Sequence, residues 1–203
     1  MSLSFQAHPS ALQKRVTKNM KTLLAAAFIL CACAISNAQS RSNEAMIQQI
    51  RSLHAERSIT ATFNEAGNSS KIMAVTENFS DGEARAAGLQ AMNFAMGFFY
   101  PGKELAAAPD EIHLAFWVLT KKPRFAETHG LKIVAGGQTV DLGEARYGAK
   151  PRENMEYLNF SVTRDDLSKL AQSGTQIQLG SERFTITSSQ ANTIKDLLAL
   201  LKF

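Results

Sequence analysis

Cysteine is almost absent from this sequence. The chain has two cysteines in 203 residues, Cys31 and Cys33, and both lie near the N-terminus. The 165 residues from 39 to 203 therefore have no thiol. This excludes a disulfide framework, a thiolate metal site and a cysteine nucleophile from that region. Its fold must be stabilised by an ordinary hydrophobic core, and a chain of this length can bury one.

An excess of positive charge is also missing once the N-terminal region is set aside. The whole chain has 22 Lys and Arg residues against 18 Asp and Glu residues. Four of the basic residues and none of the acidic ones precede residue 39, which leaves 18 of each. A nucleic-acid-binding protein is expected to carry a clear basic excess on its binding domain. We therefore expect no nucleic-acid partner.

Catalytic and cofactor signatures are missing as well. Three histidines follow residue 38, namely His54, His113 and His129, and they form neither an HExxH nor an HxH pattern. The sequence has no G-x-S-x-G and no G-x-G-x-x-G motif. We predict no catalytic residue, no metal and no cofactor. One alternative stays open, in which Glu111 and His113 meet at the start of a strand, with His129 nearby, and form a non-standard hydrolase site.

The N-terminal region has the layout of a secretory signal peptide. Basic residues precede an uncharged apolar run over residues 22–35, and small residues follow at Ser36 and Ala38. The run is shorter than the ~20 residues that a membrane-spanning helix needs. We predict that residues 1–38 are a leader and signal peptide and that cleavage leaves Gln39 as the new N-terminus.

Two details of this region stay open. Translation could begin at Met1 or at Met20. The stretch 30–33 loosely resembles a bacterial lipobox, and lipidation there would make the protein a lipoprotein anchored at Cys33. A secreted domain without cysteine is more typical of a bacterial periplasm or exterior than of a eukaryotic secretory route. We expect a periplasmic or secreted protein with no transmembrane span in the mature chain.

Residues 39–203 are predicted to form a single α+β domain. Strand-like runs joined by short turns favour β-hairpins, most clearly at Gly136-Gly137 and Gly180-Ser181. About three to four helices are predicted, the first of them through about Arg57. The expected fold is a mainly antiparallel sheet built from hairpins with these helices packed on it. The predicted helix caps are Ser42, Ser80, Thr163 and Thr187.

The segment IHLAFWVL, residues 112–119, predicts the central strand of that sheet. Ile112, Leu114, Phe116 and Val118 share one face of the strand, and Ala115, Trp117 and Leu119 share the other. Because both faces are mostly apolar, the pattern predicts a strand covered on its two sides.

The stretch LQAMNFAMGFFYPG, residues 89–102, is apolar almost all the way round when it is read as a helix. The S-x-x-E spacing of Ser80 and Glu83 predicts a helix that starts there, so that residues 89–100 form its apolar second half. One sheet face cannot cover a helix that is apolar almost all round. Either a second helix buries it, or part stays exposed as an adaptable surface for a partner. The candidate surface residues are Leu89, Met92, Met96, Phe98 and Phe99.

The expected function is therefore an exported, non-enzymatic binding or structural module. Its partner would be an envelope protein or an apolar small molecule, held at the 89–100 segment. The alternative is an envelope hydrolase that uses Glu111 and His113. The sequence does not indicate an oligomeric state.

Overall fold

A computed structural model describes residues 41–53, 58–135 and 137–202. The leader and the predicted cleavage site before Gln39 lie outside the described residues. The prediction that the first helix runs through about Arg57 is wrong, because this helix ends at Arg51 and Ser52 is its C-cap. The described part contains twelve strands, four α-helices and a 3-10 helix at Pro151–Glu153. The helices are α1 (Asn43–Arg51), α2 (Asp81–Ala86), α3 (Arg164–Leu170) and α4 (Ser188–Leu200).

The strands form three sheets, and all of their pairings are antiparallel. The strands are β1 (Arg41–Ser42), β2 (Ile59–Asn64), β3 (Ser69–Val75), β4 (Ala91–Pro101), β5 (Glu104–Leu105), β6 (Ile112–Leu119), β7 (Gly130–Ala135), β8 (Gln138–Glu144), β9 (Arg146–Lys150), β10 (Met155–Val162), β11 (Gln176–Leu179) and β12 (Glu182–Thr185). One sheet has the order β2-β3-β4-β6-β10-β9, another has β12-β11-β7-β8, and β1 pairs with β5. The predicted α+β fold with a mainly antiparallel sheet is confirmed.

The helix starts follow from local side chains, as predicted. Each of the four predicted cap residues accepts a hydrogen bond from a backbone N–H in the first turn of its helix. At α4, Gln190 completes a capping box because its side chain accepts from the backbone N–H of Thr187 at 3.0 Å. The Gln190 amide also donates to the carbonyl of Glu77 at 3.1 Å. This bond ties α4 to the chain that leaves β3.

The main core lies against one face of the six-stranded sheet. On β6, Ile112, Leu114, Phe116 and Val118 point to this face and are fully buried. Helix α4 contacts β3, and the Phe79 ring lies between Phe94 on β4 and Phe184 on β12. This face is therefore covered by α4 and the four-stranded sheet.

The prediction that residues 112–119 are covered on both faces is wrong. The strand is central, since β4 and β10 pair on its two sides. On its second face, however, Ala115, Trp117 and Leu119 are only half-buried and His113 is exposed. The side chains on this second face are therefore less buried than those on the core face. Apolar character on both faces of a strand does not by itself require two covering layers.

The predicted helix over residues 89–100 is also wrong, because α2 ends at Ala86 and the following stretch forms β4. Gly88 has a positive φ of 73°, and the Leu89 N–H donates to the carbonyl of Ala84 at 2.8 Å. This closing bond is that of a Schellman motif, in which a left-handed glycine ends the helix. The sequence A-A-G-L at 86–89 already contained that stop signal.

Candidate functional site

The second face of the six-stranded sheet is open, and strand register arranges its side chains in rows. Residues opposite each other on neighbouring antiparallel strands have side chains close enough to interact. Five of the rows are Thr62–Lys71–Phe99, then Thr60–Met73–Gly97–His113–Ser161, then Val75–Ala95–Ala115–Asn159–Arg146, then Asn93–Trp117–Tyr157–Gly148, and then Ala91–Leu119–Met155–Lys150. This face is called the open face below.

Small residues on the two central strands create a groove in the open face. Gly97, Ala95 and Ala115 are adjacent in the register, so they form a low floor. Larger side chains stand around this floor and enclose a volume of about 250 Å³. The wall residues are Lys71, Met73, Phe99, His113, Trp117 and Asn159.

Gly97 is required by the backbone as well as by the groove. A Cβ atom at this position would collide with the carbonyl oxygen of Ile72 on β3. Any larger residue would therefore push β3 and β4 apart. The floor of the groove depends on this close approach of two strands.

Phe99 is the large apolar side chain most exposed to solvent in the described part of the chain, with 57% of its surface accessible. Its ring meets the His113 ring edge-on, with centroids 5.5 Å apart. It also separates the groove from a smaller depression lined by Thr62, Asn64 and Lys71. An aromatic ring held in this exposed position is available to contact a partner.

The strand positions of the open face include basic residues and no acidic ones. Lys71, Arg146 and Lys150 lie on it, and none of its positions on the six strands is Asp or Glu. Lys150 lies over the Tyr157 ring at 5.5 Å and pairs with Glu153 at 3.5 Å. Hydrogen bonding to Tyr157 and the charge of Glu153 raise the pKa of Lys150. Lys71 and Arg146 form no ion pair with any described residue. Of the two, Lys71 lines the groove and is therefore the one that can meet an anion held there.

The predicted partner surface is divided between the core and the open face. Leu89, Met92, Met96 and Phe98 are buried, at most 4% exposed, and only Phe99 reaches the surface. The burial of the first four agrees with the alternative in which this run is core. Alternation along β4 explains the division, since Met92, Met96 and Phe98 have even numbers and share one face.

Glu111 and His113 lie at one end of the open face. The Glu111 carboxylate accepts a hydrogen bond from the Ser161 hydroxyl at 2.7 Å, and Ser161 is opposite His113 in the register. All three side chains are exposed. His129 is elsewhere, because it stacks on Tyr147, whose register partner Leu158 points into the core. The structure therefore places Glu111 and His113 at the same end of the sheet, as the hydrolase hypothesis requires, but it places His129 elsewhere.

The Ser161 hydroxyl is not arranged as an activated nucleophile. Its proton is directed at Glu111, whereas nucleophilic catalysis by serine needs a base such as histidine to accept it. The His113 ring packs against Phe99 instead.

Glu156 on β10 is the one acidic side chain buried in the described residues, at 2% exposure. Its carboxylate accepts from the backbone N–H groups of Arg124 and Phe125, at 2.9 and 3.1 Å, and from the Tyr147 hydroxyl at 2.9 Å. Burial, together with the hydrogen bond to Glu156 and its charge, raises the pKa of Tyr147 to about 12. This cluster fastens the segment after β6 to the sheet, and its groups are already paired.

The described residues contain neither a group of metal-ligating side chains nor a helix that could span a membrane. No group of three or more His, Cys, Asp or Glu side chains among them is arranged to hold a metal ion. None of the helices in the described ranges combines the length and the apolar character needed to cross a membrane.

No protein-family model, curated protein or solved structure matches the chain. The class that its fold and surface define is an α+β domain with an open, basic and partly apolar sheet face. Its function is therefore argued from the geometry of that face.

Proposed function

We propose that this protein is an exported, non-enzymatic binding module that holds an apolar group of its partner in the groove on the open face. The observation that carries the proposal is the exposed Phe99 ring beside the low floor of Gly97, Ala95 and Ala115. Burying apolar surface contributes about 25 cal/mol per Å², and an exposed ring beside an empty groove offers such surface. The partner is an envelope protein or an apolar small molecule.

The size of the groove limits the group that it can hold. Sites for drug-sized ligands enclose roughly 300–1,000 Å³, whereas this groove encloses about 250 Å³. It suits one aromatic or aliphatic side chain of a partner, or a short acyl chain. Lys71 and Asn159 at the rim would orient a polar or anionic end of that group.

Trp117 makes the proposal directly measurable, because it lines the groove and is the single tryptophan of the chain. We expect 4-phenylbutyrate, which joins an aromatic ring to a carboxylate, to change the Trp117 fluorescence saturably. Ala115→Leu puts a larger side chain onto the floor of the groove and should weaken this binding by roughly tenfold or more. Its melting temperature should stay close to that of the wild type, because Ala115 points away from the core.

Asn93→Leu is the matched control, since it enlarges a side chain on the same face outside the groove lining. It should bind the probe as the wild type does. Folded Ala115→Leu protein with unchanged phenylbutyrate affinity would refute the groove as the binding site, as would a wild-type protein that does not respond to the probe.

The proposal of export depends on the layout of residues 1–38. Intact mass of the protein from its native cell tests it. We expect a chain that begins at Gln39, or a lipid-modified chain that begins at Cys33. A chain that keeps Met1 or Met20 would contradict export by a cleaved signal.

A further inference from the structure

Four strands lie at the edges of the two larger sheets, and only β2 has no charged residue. Edge strands present unpaired backbone groups, and proteins usually protect them with charges, proline or bulges. β9 has Arg146 and Lys150, β8 has Asp141 and Glu144, and β12 has Glu182 and Arg183. β2 has the sequence ITATFN, without charge or proline. Helix α1 contacts β2, but no described strand pairs with its outer side.

The hydrogen bonds at the two ends of the β3–β4 pair show which way the backbone of β3 points. The Thr76 N–H donates to the Phe94 carbonyl at 2.9 Å, and the Gly102 N–H donates to the Asn68 carbonyl at 2.8 Å. The register between these bonds is unbroken. Since bonded positions alternate along an antiparallel pair, even-numbered residues of β3 bond to β4 and odd-numbered ones face β2.

The same alternation identifies the free backbone groups of β2. Residues opposite the odd-numbered positions of β3 bond to β3, and these are Thr60, Thr62 and Asn64. The remaining residues direct their N–H and C=O groups away from the sheet, and these are Ile59, Ala61 and Phe63. Within the described ranges, no other strand pairs with this side of β2.

We propose that β2 is a docking edge at which an extended segment of a partner polypeptide adds as a seventh strand. Strand addition gains affinity from main-chain hydrogen bonds and specificity from alternate side chains. Here the added strand would bond to the outward groups of Ile59, Ala61 and Phe63.

The charge of the open face indicates the side chains that such a segment would carry. Lys71 lies directly opposite Thr62, one strand in from the edge, and has no acidic partner in the described residues. Because Thr62 is short, a Glu or Asp on the added strand can reach over it toward Lys71. On the opposite face, the side chains of the added strand would lie beside the apolar side chains of Ile59 and Phe63.

A second copy of the chain satisfies these features less well. Pairing β2 with β2 across a two-fold axis would bring two copies of Lys71 to the same face with no acid between them. A partner strand that carries Glu or Asp would form the same ladder of main-chain hydrogen bonds and would also neutralise Lys71.

The test uses a capped seven-residue peptide of alternating valine and glutamate, with a valine–lysine peptide as its control. Hydrogen exchange of the free protein should be fast at the amides of Ile59, Ala61 and Phe63 and slower at those of Thr60 and Thr62. Saturation with the valine–glutamate peptide should slow the three outward amides at least tenfold. The valine–lysine peptide should bind at least fivefold more weakly, because it meets Lys71 with like charge.

Two variants separate the edge from the rest of the fold. Ala61→Pro removes an outward N–H without breaking a β2–β3 bond and should weaken the valine–glutamate peptide at least tenfold. Thr62→Glu gives Lys71 an internal partner and should weaken the same peptide at least fivefold without loss of stability. The Thr62→Glu variant still tests the docking edge if Ala61→Pro does not fold.

The groove variant Ala115→Leu should bind the peptide as the wild type does, which distinguishes the edge from the groove although Lys71 belongs to both. Slow exchange of the three outward amides in dilute free protein would overturn the inference, and so would equal binding of the two peptides. Sedimentation that shows a dimer in which these amides become protected would assign the edge to a second copy and overturn the partner strand.

Discussion

Phe98→Asp is expected to unfold the domain, whereas Phe99→Asp, one residue further along β4, is expected to leave it folded. Phe98 is buried beside Tyr100, with ring centroids 6.1 Å apart. Loss of a buried phenylalanine costs about 3–5 kcal/mol, and burying an unpaired carboxylate adds several more. That sum is comparable with the ~5–15 kcal/mol total stability of a typical domain.

Phe99 is the matched control because it lies on the open face next to Lys71. An aspartate there stays hydrated and faces a cation, so its melting temperature should change by only a few degrees. Circular dichroism during thermal unfolding compares the two variants. Equal destabilisation by both would contradict the alternation of β4, since neighbouring residues of a strand point to opposite faces.

Glu156→Ala is expected to have the next largest effect, a loss of about 3–6 kcal/mol. It leaves two backbone N–H groups and the Tyr147 hydroxyl without their acceptor. A buried unsatisfied group costs about 1–3 kcal/mol, and the upper part of that range does not apply to the Arg124 N–H and the Tyr147 hydroxyl, because both are only part-buried. Glu156→Gln should cost less, because its amide oxygen can still accept from two donors. Denaturant unfolding measures the free energy of unfolding of the wild type, Glu156→Ala and Glu156→Gln.

Glu153→Ala is the control for this variant. Glu153 is an exposed acid that pairs only across the surface with Lys150, so its removal should change stability by less than about 0.5 kcal/mol. If Glu156→Ala is no more destabilised than Glu153→Ala, the carboxylate does not hold the segment that follows β6.

The titration of Tyr147 tests the same cluster through the pH dependence of stability. Its pKa is raised from 10.0 to about 12 in the folded protein, so the unfolded chain loses this proton at lower pH than the folded one. The resulting stability is fully present below pH 10 and is lost as the pH rises toward about 12. In Tyr147→Phe this contribution to alkaline destabilisation should disappear. Identical slopes of stability against pH in the two proteins over that range would contradict the pairing.

The local elements of the fold could be predicted because short-range interactions determine them. A cap such as Thr187 acts on a backbone N–H only three residues away, and the turn at Gly180 joins strands that are neighbours in the chain. The sequence also placed Phe116 on the central strand. Each of these predictions needed no knowledge of distant residues.

The segment at 89–101 shows where local reasoning was incomplete. Gly88 ends α2, and apolar residues then alternate from Met92 to Tyr100 with a period of two. Both signals were in the sequence, but small and apolar residues at Ala95 and Gly97 filled the other face and concealed the alternation. Short apolar runs are ambiguous between helix and strand for this reason.

The sequence by itself therefore determined the caps, the turns and most of the strands, because neighbours along the chain decide them. Only the tertiary structure decided which face of β4 and β6 is open. Both faces are apolar enough to be covered, and the choice depends on where α4 and the four-stranded sheet pack, far away in the chain. The exposure of Phe99, the groove around Ala115 and the unpaired edge of β2 all follow from that long-range packing.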